Sequence, residues 1–348
     1  MTLPFHTPRL HRRTFLAASG ASLLLAAPFI ARTARAQSAL WQGNVLDKAK
    51  DFDALRSLIV SRNGDNLIEE VFQGSPFDRG VNIKSASKTI LSVLVGIAID
   101  KKALEGPDQK IASLLQSDLP RNPDPRLNEI TIGNLLSMQS GLERTSGPNY
   151  GRWVQSRNWV RFALDRPFVD EPGGKMLYST GNSHLLSAIL TKTTGRTTLQ
   201  LAREWLGEPL DISIPKWPTD PQGIYFGGND MVMSPNGLKS FGQMIISRGQ
   251  IGKRQVVSED WIDLSWQPRT ASPWTGHEYG YGWFLRQSGE QKVRYAWGYG
   301  GQMLFVAPEV QLVCVMISDP NAPSGRNGYV KQLHELFDEI LQGATGAA

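Results

Sequence analysis

The sequence predicts an α+β fold, an α/β sandwich in which an antiparallel sheet is flanked by helices and a mainly helical lobe is inserted. Two apolar segments around Asn63-Gly64-Asp65 have the pattern of a β-hairpin. Further strand patterns with short connections crowd the C-terminal part, which favours antiparallel pairing. From Gly106 to about Gly223, helical patterns alternate with loops rich in proline and glycine. We therefore expect the hairpin and the late strands to form one sheet.

The individual elements follow from periodicity and turn residues, taken in chain order. Strands are predicted at Leu55–Val60, Leu67–Phe72, Tyr279–Arg286, Val293–Trp297, Met303–Ala307 and Leu312–Ser318. Helices are predicted from Ser85 to about Leu104 and at Ile132–Met138, Trp153–Leu164, Ser183–Thr193, Leu199–Leu206, Leu238–Ile246, Ser258–Ser265 and Asn327–Leu341. This divides one domain, 37–348, into a sheet lobe (about 45–84 and 225–348) and a helical lobe (about 85–224).

The first 36 residues are predicted to be a twin-arginine signal peptide. Arg12-Arg13 precedes an uncharged stretch, Phe15–Ile30, that is shorter than the roughly 20 residues a spanning helix needs. Ala34-Arg35-Ala36 is a small-x-small cleavage site. The prediction is a periplasmic or secreted protein with no stable membrane span after cleavage, the alternative being a membrane anchor.

Charge and cysteine content argue against a nucleic-acid-binding protein and against a fold held by disulfides. The chain has 37 Lys and Arg against 32 Asp and Glu, and five of these arginines lie in the leader, which has no acidic residue. The mature part is therefore close to neutral, and we predict no nucleic-acid partner. Cys314 is the single cysteine, so no intrachain disulfide can form, and its apolar strand predicts a core position.

A serine and a lysine stand three residues apart at the start of the most apolar predicted helix, in Lys84-Ser85-Ala86-Ser87-Lys88. Positions i and i+3 share a helix face, so the hydroxyl and the amine are expected to be neighbours. Burial disfavours a charged amine, which would let Lys88 take the proton of a nucleophilic Ser85. The alternative is that both residues merely begin a core helix.

A second Ser-x-x-Lys pattern, Ser213-Ile214-Pro215-Lys216, contains a proline and is followed by no apolar helix. Proline disrupts helical geometry, so we do not expect this serine and lysine to act together.

Two further segments have the residue types that a nucleophilic serine requires. Tyr178 precedes a predicted helix and offers a phenol that can pass a proton to a leaving group, although such a tyrosine often only packs. The glycine-rich segment 296–302 lies between two predicted strands. There a strand N–H could complete an oxyanion hole with the N–H of Ser85, the alternative being a simple hairpin.

Competing chemistries have little support. The sequence has no Gly-x-Ser-x-Gly elbow, and His184, His277 and His334, the histidines after the leader, lack metal-ligand spacing. His184 is interpreted as a packing residue. We predict no cofactor and no metal. Tryptophans are expected mostly in the core, and a few could wall a pocket for an apolar substrate; they include Trp153, Trp217, Trp274, Trp283 and Trp297.

The order of these motifs resembles the class C β-lactamase-related serine hydrolases, a group that includes D-alanyl-D-alanine carboxypeptidases, esterases and 6-aminohexanoate-dimer hydrolases. The resemblance covers about residues 45–342, including the Ile59–Val71 hairpin and the segments Ile130–Leu142 and Gly301–Val306. It implies a β-lactamase/transpeptidase-like fold and an acyl-enzyme on Ser85, with Lys88 and Tyr178 moving protons. It also implies an oxyanion site between the N–H groups of Ser85 and a strand residue, which we take to be Tyr299, next to Trp297 and Gly298.

Two departures from the family pattern affect the substrate. The usual Tyr-x-Asn motif has Thr180 in its third position, with Asn182 two residues further on. The family's third motif usually begins with a cation, as in Lys-Thr-Gly or His-x-Gly. In this chain Ala296 or Trp297 stands at that first position, so the cation that would hold a substrate carboxylate is missing. Arg294 lies on the same strand face as Ala296, and it is left open whether its guanidinium supplies the missing positive charge.

The sequence therefore predicts an exported serine hydrolase acting on a small or peptide-like ester or amide, closer to the esterase and 6-aminohexanoate-dimer hydrolase branch. The alternatives are a β-lactamase or D-alanyl-D-alanine carboxypeptidase, and a non-catalytic penicillin- or peptidoglycan-binding protein. The sequence does not determine the oligomeric state.

Overall fold

The structure, a computed structural model, describes Met1 and residues 40–323 and 327–346. The predicted signal peptide lies outside these residues apart from Met1, so leader and export remain predictions. Among the described residues, no helix is both long and apolar enough to cross a bilayer.

The centre of the molecule is one eight-stranded sheet whose hydrogen-bonded neighbours are all antiparallel, as expected for a hairpin joined to late strands. Its order is β2-β1-β12-β11-β10-β9-β8-β7. In chain order the strands are β1 (Leu55–Arg62), β2 (Asp65–Val71), β7 (Thr270–Ala271), β8 (Glu278–Tyr279), β9 (Phe284–Ser288), β10 (Gln291–Gly298), β11 (Gln302–Ala307) and β12 (Leu312–Ser318). The pairs β3–β4 (Val81–Asn82 with Val232–Met233) and β5–β6 (Gln250–Ile251 with Arg254–Gln255) lie outside this sheet.

Helices surround this sheet, and most of them belong to the segment between β3 and β4. The helices are α1 (40–50), α2 (Ser87–Asp100), α3 (Ile111–Leu114), α4 (Ile132–Leu136), α5 (Tyr150–Val154), α6 (Trp159–Leu164), α7 (Thr180–Thr194), α8 (Thr198–Ala202), α9 (Glu208–Leu210), α10 (Pro235–Ile246), α11 (Glu259–Ser265) and α12 (Tyr329–Gly346).

The two faces of the sheet bury different cores, because side chains alternate along each strand. On one face Ala296, Leu304 and Val315 pack into a large cluster with α2, α10 and the helical segment. On the other face Tyr295 and Phe305 pack against the apolar sides of α1 and α12. Helix α2, which begins just after Ser85, and the C-terminal helix α12 are thus on opposite faces of the sheet.

Several predicted boundaries were wrong. The predicted helix Trp153–Leu164 is two helices, because the Asn158 side chain accepts a hydrogen bond from the Arg161 N–H and begins α6 anew. The predicted strand Tyr279–Arg286 is interrupted between β8 and β9. There the carbonyls of residues 281 and 282 accept hydrogen bonds from the side chains of Ser92 and Thr89 on α2. Helix α1 was not predicted, and α2 ends at Asp100, before the predicted end near Leu104.

Candidate active site

Ser85 lies in a short 3-10 turn, Lys84–Ala86, that leads directly into α2. Lys84 has a left-handed backbone with φ of 48°, and its N–H donates to the Asn82 side chain at 2.8 Å. Its ammonium donates to Asp230 at 3.2 Å, and the Asn82 amide donates to the same carboxylate oxygen at 2.8 Å. These bonds fix the turn that presents Ser85.

Ser87, the other serine of this segment, is a structural residue. Its hydroxyl donates to the Lys84 carbonyl at 2.5 Å and accepts from the Met231 N–H at 3.1 Å. The Ser87 side chain is buried and its hydroxyl already donates one hydrogen bond and accepts another, whereas Ser85 is half-buried. Of the two hydroxyls, that of Ser85 is the one placed to react.

Lys88 brings a buried amine to Ser85. Its Nζ is 3.1 Å from Ser85 Oγ and donates to the Gly228 carbonyl at 2.5 Å. The residue is only 4% exposed, and desolvation lowers the pKa of Lys88 from 10.5 to about 7, although the Asp230 carboxylate partly opposes this. A large fraction of the amine is therefore neutral near pH 7 and able to accept a proton.

The Gly227-Gly228 segment reaches Lys88 only because it has no side chains. A Cβ on Gly227 would lie 2.2 Å from the Ser183 carbonyl oxygen, and one on Gly228 would lie 2.4 Å from the Ser183 hydroxyl. The loop therefore packs flat against α7 and directs a carbonyl at the amine. No sequence motif predicted this partner, although the paired glycines mark the place.

Tyr178 completes the arrangement from the opposite side. Its ring lies under Lys88 Nζ, 4.9 Å from the centroid, and its phenol is close enough to Ser85 for that residue to oppose in part the effect of burial on its pKa. Burial raises the pKa of Tyr178 to about 12. The phenol is thus protonated at neutral pH and can donate a proton, whereas the Lys88 amine can accept one.

The end of β10 runs past the Ser85 turn. A Cβ on Gly298 would lie 2.3 Å from the Ile83 carbonyl oxygen and 3.0 Å from Lys84 Cβ, so only glycine allows this approach. Tyr299 follows on the turn with its side chain 52% exposed. Trp297 packs on the opposite sheet face, towards α12.

The remaining predicted site residues have other partners. Thr180 bonds to the Ser146 hydroxyl at 3.0 Å, and Asn182 Oδ1 accepts from Ser140 at 3.1 Å, both at the buried start of α7. The Arg294 guanidinium stacks over Trp266 at 4.8 Å and lies 3.7 Å from Glu309.

Ala296 is buried in the core and carries no charge. Ala296 and Trp297, the two positions where the resemblance led us to expect a cation, therefore both carry uncharged side chains. The Arg294 guanidinium faces Trp266 and Glu309, and its Nε and Nη1 make no hydrogen bond among the described residues, so no contact supports its replacing that cation.

His184 has a partner that the sequence did not reveal. Its Nε2 lies 2.9 Å from an Asp220 oxygen, and both side chains are fully buried beneath Trp153, Trp159 and Phe226. The other Asp220 oxygen accepts from two backbone N–H groups of its own loop. His184 is thus a buried structural residue, and the described residues contain no cluster of His, Cys, Asp and Glu that could hold a metal ion.

Several solved structures share this fold. The proposed 6-aminohexanoate-dimer hydrolase from Bacillus anthracis superposes with a TM-score of 0.71 at 18% identity, covering 85% of this chain and 81% of that one. The octameric penicillin-binding protein homologue from Pyrococcus abyssi gives 0.69 at 18% identity, with 88% and 77% covered. The D-amino acid amidase from Ochrobactrum anthropi gives 0.69 at 16% identity, with 89% and 99% covered. At these identities the similarity establishes the β-lactamase/transpeptidase-like fold.

Comparison with curated protein sequences returned no match. A family model is more informative, because it relates sequence to sequence along most of the domain. The model for β-lactamases matches residues 57–336, from β1 to α12. Proteins of this family are serine hydrolases acting on amides and esters. The matched range includes the turn of Ser85, the buried Lys88 and Tyr178, and the chain belongs to the β-lactamase family.

Proposed function

We propose that the chain is an exported serine hydrolase that cleaves an ester or amide through an acyl-enzyme on Ser85. The single observation that carries the proposal is the contact of Ser85 Oγ with a buried amine whose pKa is about 7. Such an amine is the base that a serine hydroxyl lacks by itself. The twin-arginine pattern of the leader supports export.

The reaction begins when Lys88 Nζ takes the Ser85 proton and Oγ attacks the substrate carbonyl carbon. The carbonyl oxygen becomes an oxyanion, which we place between the N–H groups of Ser85 and Tyr299, since Gly298 brings the end of β10 against the Ser85 turn. When the tetrahedral intermediate collapses, the bond to the leaving oxygen or nitrogen breaks. That atom takes a proton from Tyr178, which regains one from Lys88. Water then repeats the sequence on the acyl-enzyme.

The substrate is proposed to be an ester or a linear amide rather than a β-lactam. Neither Ala296 nor Trp297, the two positions where we expected a cation that would hold a carboxylate, is charged, and Arg294 contacts Trp266 and Glu309. The 6-aminohexanoate-dimer hydrolase and the amidase with the same fold are consistent with this class of substrate.

A substrate panel tests this preference. We expect turnover of p-nitrophenyl esters of short acids and much slower turnover of nitrocefin, because only the latter needs a bound carboxylate. Initial rates of release of p-nitrophenolate and of nitrocefin opening provide the measurement. Fast nitrocefin hydrolysis with inert esters would reverse the order and favour the β-lactamase alternative.

The pH dependence of activity should follow the free base of Lys88. We expect kcat/KM for an ester to fall about tenfold per pH unit below pH 7 and to level off above it. The groups around the amine are Ser85, Tyr178, the Gly228 carbonyl and Asp230. Asp230 raises the pKa of Lys88, so Asp230→Asn should move the acidic limb to lower pH. An unmoved limb, or one moved upward, would contradict this electrostatic account.

A further inference from the structure

A cavity of about 440 Å³ lies beside the outer part of the sheet, where β8 ends and β9 continues. Three cations line it, Arg286, Lys292 and Arg294, and Glu278 is the acidic residue of the lining. Burial and the Arg286 charge lower the pKa of His277, a further lining residue, so its imidazole adds no charge at pH 7. The wall of this cavity therefore carries an excess of positive charge.

Arg294 is the most buried of the charges that the proposed reaction does not use on this strand. Its side chain is 13% exposed, and its Nε and Nη1 atoms are buried without a hydrogen-bond partner among the described residues. The face of the guanidinium stacks on the Trp266 ring at 4.8 Å, which leaves the N–H edge to bind another group. Buried donors normally have an acceptor, and an uncompensated buried charge is costly. Arg294 thus lacks an acceptor for its edge.

The carboxylates that act on Arg294 do not supply this acceptor. Glu309 Oε1 is 3.7 Å from Nη1, beyond hydrogen-bond distance, and the Glu309 side chain is 48% exposed. Asp263, which attracts Arg294 through its charge, accepts hydrogen bonds from the Arg248 guanidinium at 2.7 and 2.5 Å. The Nε1 donor of Trp266, which also lines the cavity, has no partner among the described residues either. Several N–H donors without an acceptor therefore meet at this wall.

We propose that this cavity binds an oxyanion, the carboxylate of a small organic acid or a phosphate group, at the N–H edge of Arg294. A guanidinium presents paired N–H groups whose spacing matches two oxygens of either group. Lys292, which is exposed and has no ion-pair partner among the described residues, adds a second positive charge. A bound oxyanion would supply the acceptor that the protein itself does not place there.

The proposed oxyanion site is separate from the nucleophile. The lining of the cavity includes none of Ser85, Lys88 and Tyr178. Arg294 precedes Gly298 by four residues on β10, which corresponds to about 13 Å along a strand. The site therefore does not restore the cation that is missing from the third family motif. Its occupancy can be measured whether or not the chain hydrolyses an ester.

Titration of the full chain with sodium acetate and with sodium phosphate tests the site, because the two salts represent the two sources of an oxyanion. Isothermal titration calorimetry at an ionic strength held constant with sodium chloride excludes the general effect of salt. We expect saturable binding of at least one anion, with one site per chain. In a chain with isotope-labelled arginine, the Nε–H signal that Arg294→Lys removes should shift with the same dissociation constant. Tighter binding of acetate would assign a carboxylate ligand, and tighter binding of phosphate a phosphate ligand.

Variants separate this site from other cations of the chain. Arg294→Lys keeps a charge but loses the paired N–H groups, so the dissociation constant should rise roughly tenfold. Lys292→Gln changes an exposed residue, which leaves the core intact, and should raise it roughly threefold. Lys253→Gln, at an exposed lysine outside the cavity, is the matched control and should leave it unchanged, as should Ser85→Ala.

Three results would overturn the proposal. The first is the absence of saturable binding of either anion to the wild type. The second is an affinity that Arg294→Lys and Lys292→Gln both leave unchanged. The third is binding that Ser85→Ala abolishes, because the anion would then occupy the active site instead of this cavity.

Discussion

Replacing Lys88 by methionine is expected to lower kcat/KM for ester hydrolysis by about 10³-fold, within the range typical of a lost general base. Methionine fills a similar volume but cannot take the Ser85 proton across the 3.1 Å contact. Stopped-flow or initial-rate measurements with a p-nitrophenyl ester give the ratio directly. The loss should be in acylation, so the burst of p-nitrophenolate disappears together with steady-state turnover.

The second Ser-x-x-Lys pattern supplies the control. Lys216 and Ser213 are exposed and lie outside any helix, so Lys216→Met should leave kcat/KM unchanged. Thermal melting checks that the variants are folded. Because the pKa of Lys88 is lowered on folding, its burial costs stability below pH 7, and this cost fades as pH rises towards 10.5. Lys88→Met should therefore melt no lower than the wild type at pH 6. Comparable losses in both lysine variants would refute the assignment.

Tyr178→Phe is expected to lower kcat/KM for alkyl esters by about 100-fold and for p-nitrophenyl esters much less. Phenylalanine keeps the ring beneath Lys88 and against Trp274 but removes the proton that an alkoxide needs on leaving. p-Nitrophenolate is stable as an anion and leaves without it. Rates for an ethyl and a p-nitrophenyl ester of the same acid give the comparison.

Tyr225→Phe is the matched change elsewhere in the helical lobe, where Tyr225 packs against Trp217. It should alter neither rate. If Tyr178→Phe slowed both esters equally, the phenol would be acting before the leaving group departs, and the proton-donor role would be wrong.

The elements with strong local patterns were predictable from sequence. The Asn63-Gly64 turn, with φ of 53° and 89°, forms the expected hairpin, and its strand β1 pairs with β12 as expected for a single sheet. These features depend on turn residues and alternation, which short stretches of sequence record. The interruption of the predicted strand at residues 280–283 was not predictable. It depends on side chains of α2, which is distant in sequence and donates hydrogen bonds to the carbonyls of residues 281 and 282.

The same distinction holds for the site. The spacing of Ser85 and Lys88 is local, and the structure places the two side chains in contact, although Ser85 is in the 3-10 turn before α2 rather than in the helix itself. Gly228 and Asp230 were missed, because their roles arise only when a distant loop folds against the turn. Thr180 stands at the third position of the tyrosine motif and Asn182 two residues beyond it, and the side chains of both bond to serines elsewhere in the helical segment.

The central claim is that Ser85 is the nucleophile, and covalent labelling tests it most directly. Incubation with a fluorophosphonate probe, followed by intact-mass and peptide mass spectrometry, should show one adduct per chain on the Ser85 peptide. Labelling should be faster at pH 8 than at pH 5, since the free amine of Lys88 activates the hydroxyl. Ser85→Ala should remain unlabelled. An unlabelled wild type, or an adduct on Ser87 or Ser213 in its place, would contradict the account.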